Sequence, residues 1–300
     1  MVDGAPFDVV LVCTGHDHLH SGALVHKPSR VPVTGLYFGA DLPSAPRRIG
    51  VRGAALNFID VCMLYGDTAA TIYPVSRSGR FMEVKPAPDT PLPEVPERWR
   101  QACARVSTAA DLREILIAAA GEFGEFSTAD LAAVIDGQDF TGDAIAELEA
   151  SLRAAESTGP LTPAAAVGAA FRGVFQECVD WHGAHGPMPG FRELSRTLER
   201  VAFGPPPVTA RRLLELIHVG VVDTQFLRAP EQIDTWREEG GVDVLIDATV
   251  APQAIPSPFH DVPGVVEIGR MNELSLPGHD SLNRSVHDDI PRWAEKVGNP

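Results

Sequence analysis

Arg48-Ile49-Gly50-Val51-Arg52-Gly53-Ala54-Ala55-Leu56-Asn57-Phe58-Ile59-Asp60, continued to Thr71-Ile72-Tyr73-Pro74-Val75-Ser76, is the stretch that decides the fold. Arg48–Val51 reads as a short strand running into a Gly-Ala-Ala turn. An apolar-rich helix follows from Leu56 to Tyr65, and Gly66 stops it. Thr71–Ser76 is then a second strand. Strand, glycine turn, helix and strand make a βαβ unit, whose two strands run parallel. The sequence therefore belongs to the α/β class.

Working outward, Phe7–Cys13 is an apolar run of the kind buried on both faces of a sheet, and it ends in Thr14-Gly15. From Pro86 to Pro96 a proline-rich bridge, with Pro88, Pro91 and Pro93 inside it, reads as a semi-rigid linker. Residues 98–220 read as almost wholly helical. Their start signals are Ser107-Thr108, Ser127-Thr128, Thr141 before Asp143, Thr162 before Pro163, and Thr209. Segment 163–183 carries an apolar stripe through Val167, Phe171, Val174 and Cys178, and 191–203 repeats it through Leu194, Leu198 and Val201. Between 111 and 156, eleven acidic residues face two arginines, which reads as a solvated helical face. Strands return at Val221–Leu227, Val242–Thr249 and Val265–Ile268. A last amphipathic helix is expected from Ser281 to about Val297, with Asp280 as its N-cap.

Composition narrows the function. The 300 residues leave room for about two domains. Lys and Arg total 25 against 40 Asp and Glu, a formal charge of −15, which argues against nucleic acid or an anionic membrane as partner. The longest clear apolar run, Ile115 to Ala120, is six residues, far short of the ~18–20 that span a bilayer. The first ten residues lack the basic region of a signal peptide, and the four cysteines form no CxxC pair. The expectation is a cytoplasmic protein with reduced thiols, acting on a small-molecule substrate.

Two strands echo each other across the chain. Phe7-Asp8-Val9-Val10-Leu11-Val12-Cys13-Thr14-Gly15 resembles Val242-Asp243-Val244-Leu245-Ile246-Asp247-Ala248-Thr249-Val250. Each is apolar, Asp, an apolar-rich run, a small residue and Thr. In this pattern the chain resembles the bacterial FAD-NAD(P)-binding proteins, flavoproteins with two dinucleotide-binding domains related to the flavin-dependent N-hydroxylases and monooxygenases. There such strands mark the crossings between the FAD and NAD(P) domains. Cys13 stands for the family's usual Ala, and Val250 for its Gly. Arg48–Asp60 resembles the family's second nucleotide-binding turn, and Pro277 to Trp293 its closing helix.

The resemblance implies a Rossmann-like NAD(P)-binding domain at 31–86 and 221–241, a large all-helical insertion at 87–220, and partial FAD-domain segments at 1–30 and 242–300. Only Met1 to Pro6 precede the first crossing, where the family carries its FAD-binding GxGxxG. The expectation is therefore that a second polypeptide or an upstream extension supplies that half of the FAD site. Cofactors implied are NADPH and FAD.

Candidate residues follow. Gly53, Ala54, Ala55 and Leu56 open a helix whose free N–H groups could receive a pyrophosphate, with Ala55 where a full fingerprint has its second glycine. Ser76 lies 23 positions after Gly53, and Ser76, Arg77 and Arg80 occupy the place where arginine accommodates the 2′-phosphate of NADP. Thr14, Gly15, Asp280 and Ser281 are the positions the resemblance sets near a flavin. Two alternatives stay open. One is a degenerate, non-catalytic binding or partner subunit. The other is a metal-dependent hydrolase using His16, His18 and His20, with His182, His185, His218 and Asp247 as further ligand candidates.

Overall fold

The computed structural model describes residues 10–12, 23–36, 41–87, 90–156, 161–249, 264–269, 277 and 286–298. It is an α/β protein with parallel sheets. Strand β1 (Val10–Val12) pairs in parallel with β6 (Val265–Glu267). The larger sheet has four strands, β2 (Val33–Thr34), β3 (Arg48–Arg52), β4 (Thr71–Val75) and β5 (Val244–Asp247), in the order β2-β5-β3-β4 and all parallel. Helix α1 (Leu56–Tyr65) joins β3 to β4, so the βαβ unit read from the sequence is present.

Alternation along the strands explains why both faces of the larger sheet are buried. Ile49, Val51, Ile72, Val244 and Ile246 point into one core with Phe58, Val61 and Cys62 of α1. Val75 and Leu245 point the other way, against Leu24, Ile233 and Trp236. Trp236 belongs to α9 (Gln232–Glu239), a short polar helix with too few apolar residues to announce itself in the sequence. Gly50 makes room for it: a Cβ there would sit 2.8 Å from the indole. Asp243, which opens β5, accepts the N–H groups of Arg47 and Arg48 at 2.7 and 2.9 Å and so fixes the start of β3. Those two hydrogen bonds hold its carboxyl below the usual carboxylate range.

Seven described helices follow between residues 97 and 218: α2 (Glu97–Cys103), α3 (Ala109–Gly121), α4 (Thr128–Ile135), α5 (Ala144–Glu156), α6 (Pro163–His185), α7 (Phe191–Ala202) and α8 (Pro207–His218). Three start signals act as expected. Thr108 forms a capping box with Asp111, Ser127 caps α4, and Thr162 caps α6 with Pro163 behind it. At α5 the cap is Asp143, not Thr141, and α8 begins at Pro207, ahead of Thr209.

These helices do not share one core. Helices α2, α3, α4, α6 and α7 surround Leu112, Leu116, Phe171 and Leu198. Leu148 and Leu152 of α5, with Leu213 and Leu216 of α8, pack instead into the core of the larger sheet beside α1. The expected insertion at 87–220 is therefore divided between two cores. Likewise β5, expected among the FAD-domain segments at 242–300, hydrogen-bonds to β3 in the same sheet as the βαβ unit.

Two further elements differ from expectation. Val221–Leu227 is not a full strand: it makes a single parallel bridge, Val222 to Ile72, on the outer edge of β4. Asp223 then accepts the Gln225 N–H, and this local turn interrupts the ladder until Leu227 O accepts the Ser76 N–H at 2.9 Å just beyond β4. The closing helix, α10, spans Asp289–Gly298. Residues 286–288 ahead of it form a turn, and Pro291, which lacks an N–H, is accommodated in the first turn of the helix; the expected start at Asp280 and Ser281 lies outside the described residues. Among the described residues no helix is long and apolar enough to cross a membrane.

Candidate functional site

Strand β3 lies between β4 on one side and β5 on the other, so the strand order reverses direction about its carboxyl end. In open parallel sheets such a reversal opens a crevice beyond the strand ends, where ligands bind. Such a crevice would be bounded here by the turn after β3, the turn after β4 and the end of β5.

The turn after β3 is pinned from both sides. The Gly53 N–H donates to Val75 O at 2.8 Å, and Ala248 N–H donates to Arg52 O at 3.0 Å. Gly53 has φ +123°, a conformation that L side chains rarely adopt, and a Cβ there would meet Ala248 O at 3.2 Å. Glycine is therefore required at this position. The chain then enters α1 through Ala55, an extended N-cap residue with no side-chain cap and no acidic residue in the first turn behind it. Ala55 and Leu56 are exposed. The first N–H groups of α1 thus start at an exposed turn with no side-chain cap, at the positive end of the helix dipole.

On the β4 side, Ser76 Oγ accepts the Gly79 N–H at 3.0 Å and keeps its own proton to donate. Arg77 is exposed and forms no ion pair with another described residue. Gly53 and Ser76 are brought together through the bond to Val75, so the two halves of the expected nucleotide site do meet.

Arg80 does not join them. Its guanidinium is buried and donates twice to Asp139, at 2.5 and 3.0 Å, and through Nε to Glu147 at 3.0 Å. The expected 2′-phosphate contact from Arg80 is corrected to an internal one, because its donors are already engaged by carboxylates. Asp139 also faces Arg200, which pairs with Glu83 at 3.3 Å. Burial pushes the Asp139 carboxyl up, but its hydrogen bonds to Arg80 and the charges of Arg200 and Arg80 outweigh that and hold it below the usual range. Asp139 and Glu147 are accordingly not part of a solvated face.

The end of β5 is the third side, where the sequence offered Asp247 only as a metal-ligand candidate. Asp247, at the end of β5, accepts hydrogen bonds from Leu24 N–H at 2.9 Å, Arg52 Nη1 at 3.2 Å, Thr249 N–H at 3.2 Å and Thr249 Oγ1 at 2.6 Å. These donors make Asp247 an organising residue rather than a metal ligand. The available signal was the Asp-Ala-Thr ending of the echoed strand.

The other ligand candidates lie apart. His182 and His185 hydrogen-bond back within α6, to Cys178 O and Trp181 O. Burial lowers the His182 pKa and keeps the ring neutral. His218 meets Glu149 at 3.2 Å. Among the described residues no group of three or more His, Cys, Asp or Glu could hold a metal ion. Thr14, Gly15, His16, His18, His20, Asp280 and Ser281 lie outside the described residues. No protein-family model matches the chain, and no curated protein matches it either.

Proposed function

We propose that the crevice at the carboxyl edge of the larger sheet binds the pyrophosphate of NADPH on a Rossmann-like unit, and that the protein serves a flavin- and NADPH-linked oxidoreductase or monooxygenase-like reaction. The observation that carries this reading is the uncapped amino terminus of α1 at the reversal point of the strand order. Its free N–H groups would hold the pyrophosphate, and Gly53 would keep the turn open to it. Arg77, with Ser76 beside it, would hold the 2′-phosphate. No acidic residue stands at the end of β4 to favour NAD instead.

When bound, NADPH supplies a hydride for a flavin. The flavin is proposed to be met from this chain by Thr14, Gly15, Asp280 and Ser281. The helical residues would then shape the pocket of a small-molecule substrate.

A second reading, a non-catalytic partner subunit, is favoured by Ala55, whose methyl group occupies the position where a glycine lets backbone approach the phosphates. Fluorescence titration separates the two. NADPH is expected to bind more tightly than NADH. Arg77→Ala is expected to shrink that preference about tenfold, the loss of roughly one charge-assisted hydrogen bond. A folded protein that binds neither nucleotide would favour the partner-subunit reading.

A further inference from the structure

A cavity of about 240 Å³ lies between the proline-rich bridge and helices α5 and α6, away from the turns that bound the crevice. Its walls include Leu92, Phe123, Leu161 and Val201, so most of its surface is apolar. Arg172 of α6 also lines it. Nη1 of Arg172 donates to Ala202 O at 2.7 Å, at the last residue of α7. Nε of the same guanidinium is buried and has no hydrogen-bond partner. No carboxylate of the described residues pairs with this arginine. Glu83, on the cavity margin, is already paired with Arg200.

Arg172 is half-buried with its Nε fully enclosed, and desolvating part of a cation is costly where no paired anion offsets it. The hydrogen bond to Ala202 explains one donor of Arg172 and leaves its charge without a paired carboxylate among the described residues. Ser151 Oγ lines the same cavity, where it accepts the Val84 N–H at 2.7 Å and retains its own proton as a donor. Gly168 lets α6 close on α7 beside this arginine: a Cβ there would stand 3.3 Å from Arg172 Nη1 and 2.3 Å from Val201 O.

We propose that this cavity is a binding site for a small organic carboxylate, its charge on Arg172 and its hydrocarbon body against Phe123, Leu161 and Val201. Ser151 supplies a second buried donor. The volume is below the ~300–1,000 Å³ of sites for drug-sized ligands, which sets the ligand at metabolite size. Leu92, 41% exposed, stands where a bound hydrocarbon would cover it. The proposal is independent of nucleotide binding at the sheet edge.

Isothermal titration of the full chain with hexanoate and with hexanamide, which matches it in chain length but carries no charge, tests this. Hexanoate is expected to bind at least about tenfold more tightly than hexanamide, as a charged hydrogen bond would give. Arg172→Met is expected to remove that preference, and Arg172→Lys, which keeps the charge but not the Nε geometry, to reduce it. The lysine variant also serves if the methionine variant fails to fold. No binding of hexanoate, equal binding of the two probes, or an undiminished preference in a folded Arg172 variant would overturn the proposal.

Discussion

Arg80→Met is expected to destabilise the protein by about 3 kcal/mol at neutral pH, the lower end of what removing one partner from a buried ion pair costs. The lower end applies because Asp139 and Glu147 keep 17% and 14% of their side-chain surface exposed. The wild-type cluster holds two cations, Arg80 and Arg200, among three carboxylates, Glu83, Asp139 and Glu147. Removing Arg80 leaves one cation among the three. Glu147 retains the Thr141 N–H and hydroxyl at 2.7 and 3.0 Å, so Asp139 bears most of the loss.

The pH dependence identifies the cause. The native Asp139 carboxyl is held below its ordinary value of 3.8. A depressed carboxylate pKa contributes stability that is fully present above the unfolded value and is lost as pH falls through the native one. In Arg80→Met the carboxyl protonates at higher pH, so wild type and variant converge as the solution is acidified below about pH 4. Urea unfolding at pH 7 and at pH 3.5 measures the gap. A gap that does not change with pH would show that packing, and not charge, accounts for the loss.

Gly204→Ala gives a loss of comparable size by a different route. Residues 81–86 run alongside the connection between α7 and α8, where Glu83 N–H donates to Arg200 O and Lys85 N–H to Pro205 O, each at 3.0 Å. A Cβ on Gly204 would lie 1.7 Å from the Glu83 carbonyl oxygen, a backbone atom that cannot rotate away. Both hydrogen bonds would have to lengthen to relieve the overlap. The expected cost is about 3 kcal/mol, at the upper end of the usual range for overpacking. Because the overlap is steric and no charge is removed, most of the loss should persist at pH 3.5, unlike that of Arg80→Met. Near-wild-type unfolding of this variant would mean that the segment is not clasped as described.

Much of the fold was legible because its signals are local. The apolar strands with Gly53 and Gly66 between them gave the βαβ unit, and Thr108, Ser127 and Thr162 marked helix starts within three or four residues. What escaped depends on distant partners. Asp139 and Glu147 look like surface acids until the fold places them against Arg80, 59 and 67 residues earlier in the chain. Arg80 itself read as a phosphate ligand for the same reason: its type and position suited that role, and its partners lay elsewhere in the chain. Val221–Leu227 has strand composition, yet the short-range Asp223 turn prevails after one bridge. Asp247 was visible as a residue, but not as the acceptor that ties Leu24, Arg52 and Thr249 to the crevice. The cavity beside Arg172 left no sequence signal, since its walls come from the 83–93 segment, from α5, α6 and α7, and from Phe123 beyond α3.

The most direct test of nucleotide binding at the sheet edge is amide hydrogen exchange of the full chain with and without NADPH. The account predicts slowed exchange in two segments, 53–58 at the start of α1 and 76–79 after β4, with NADH giving a weaker effect at 76–79. Absence of protection at 53–58 under saturating NADPH, or protection confined to other parts of the chain, would contradict it.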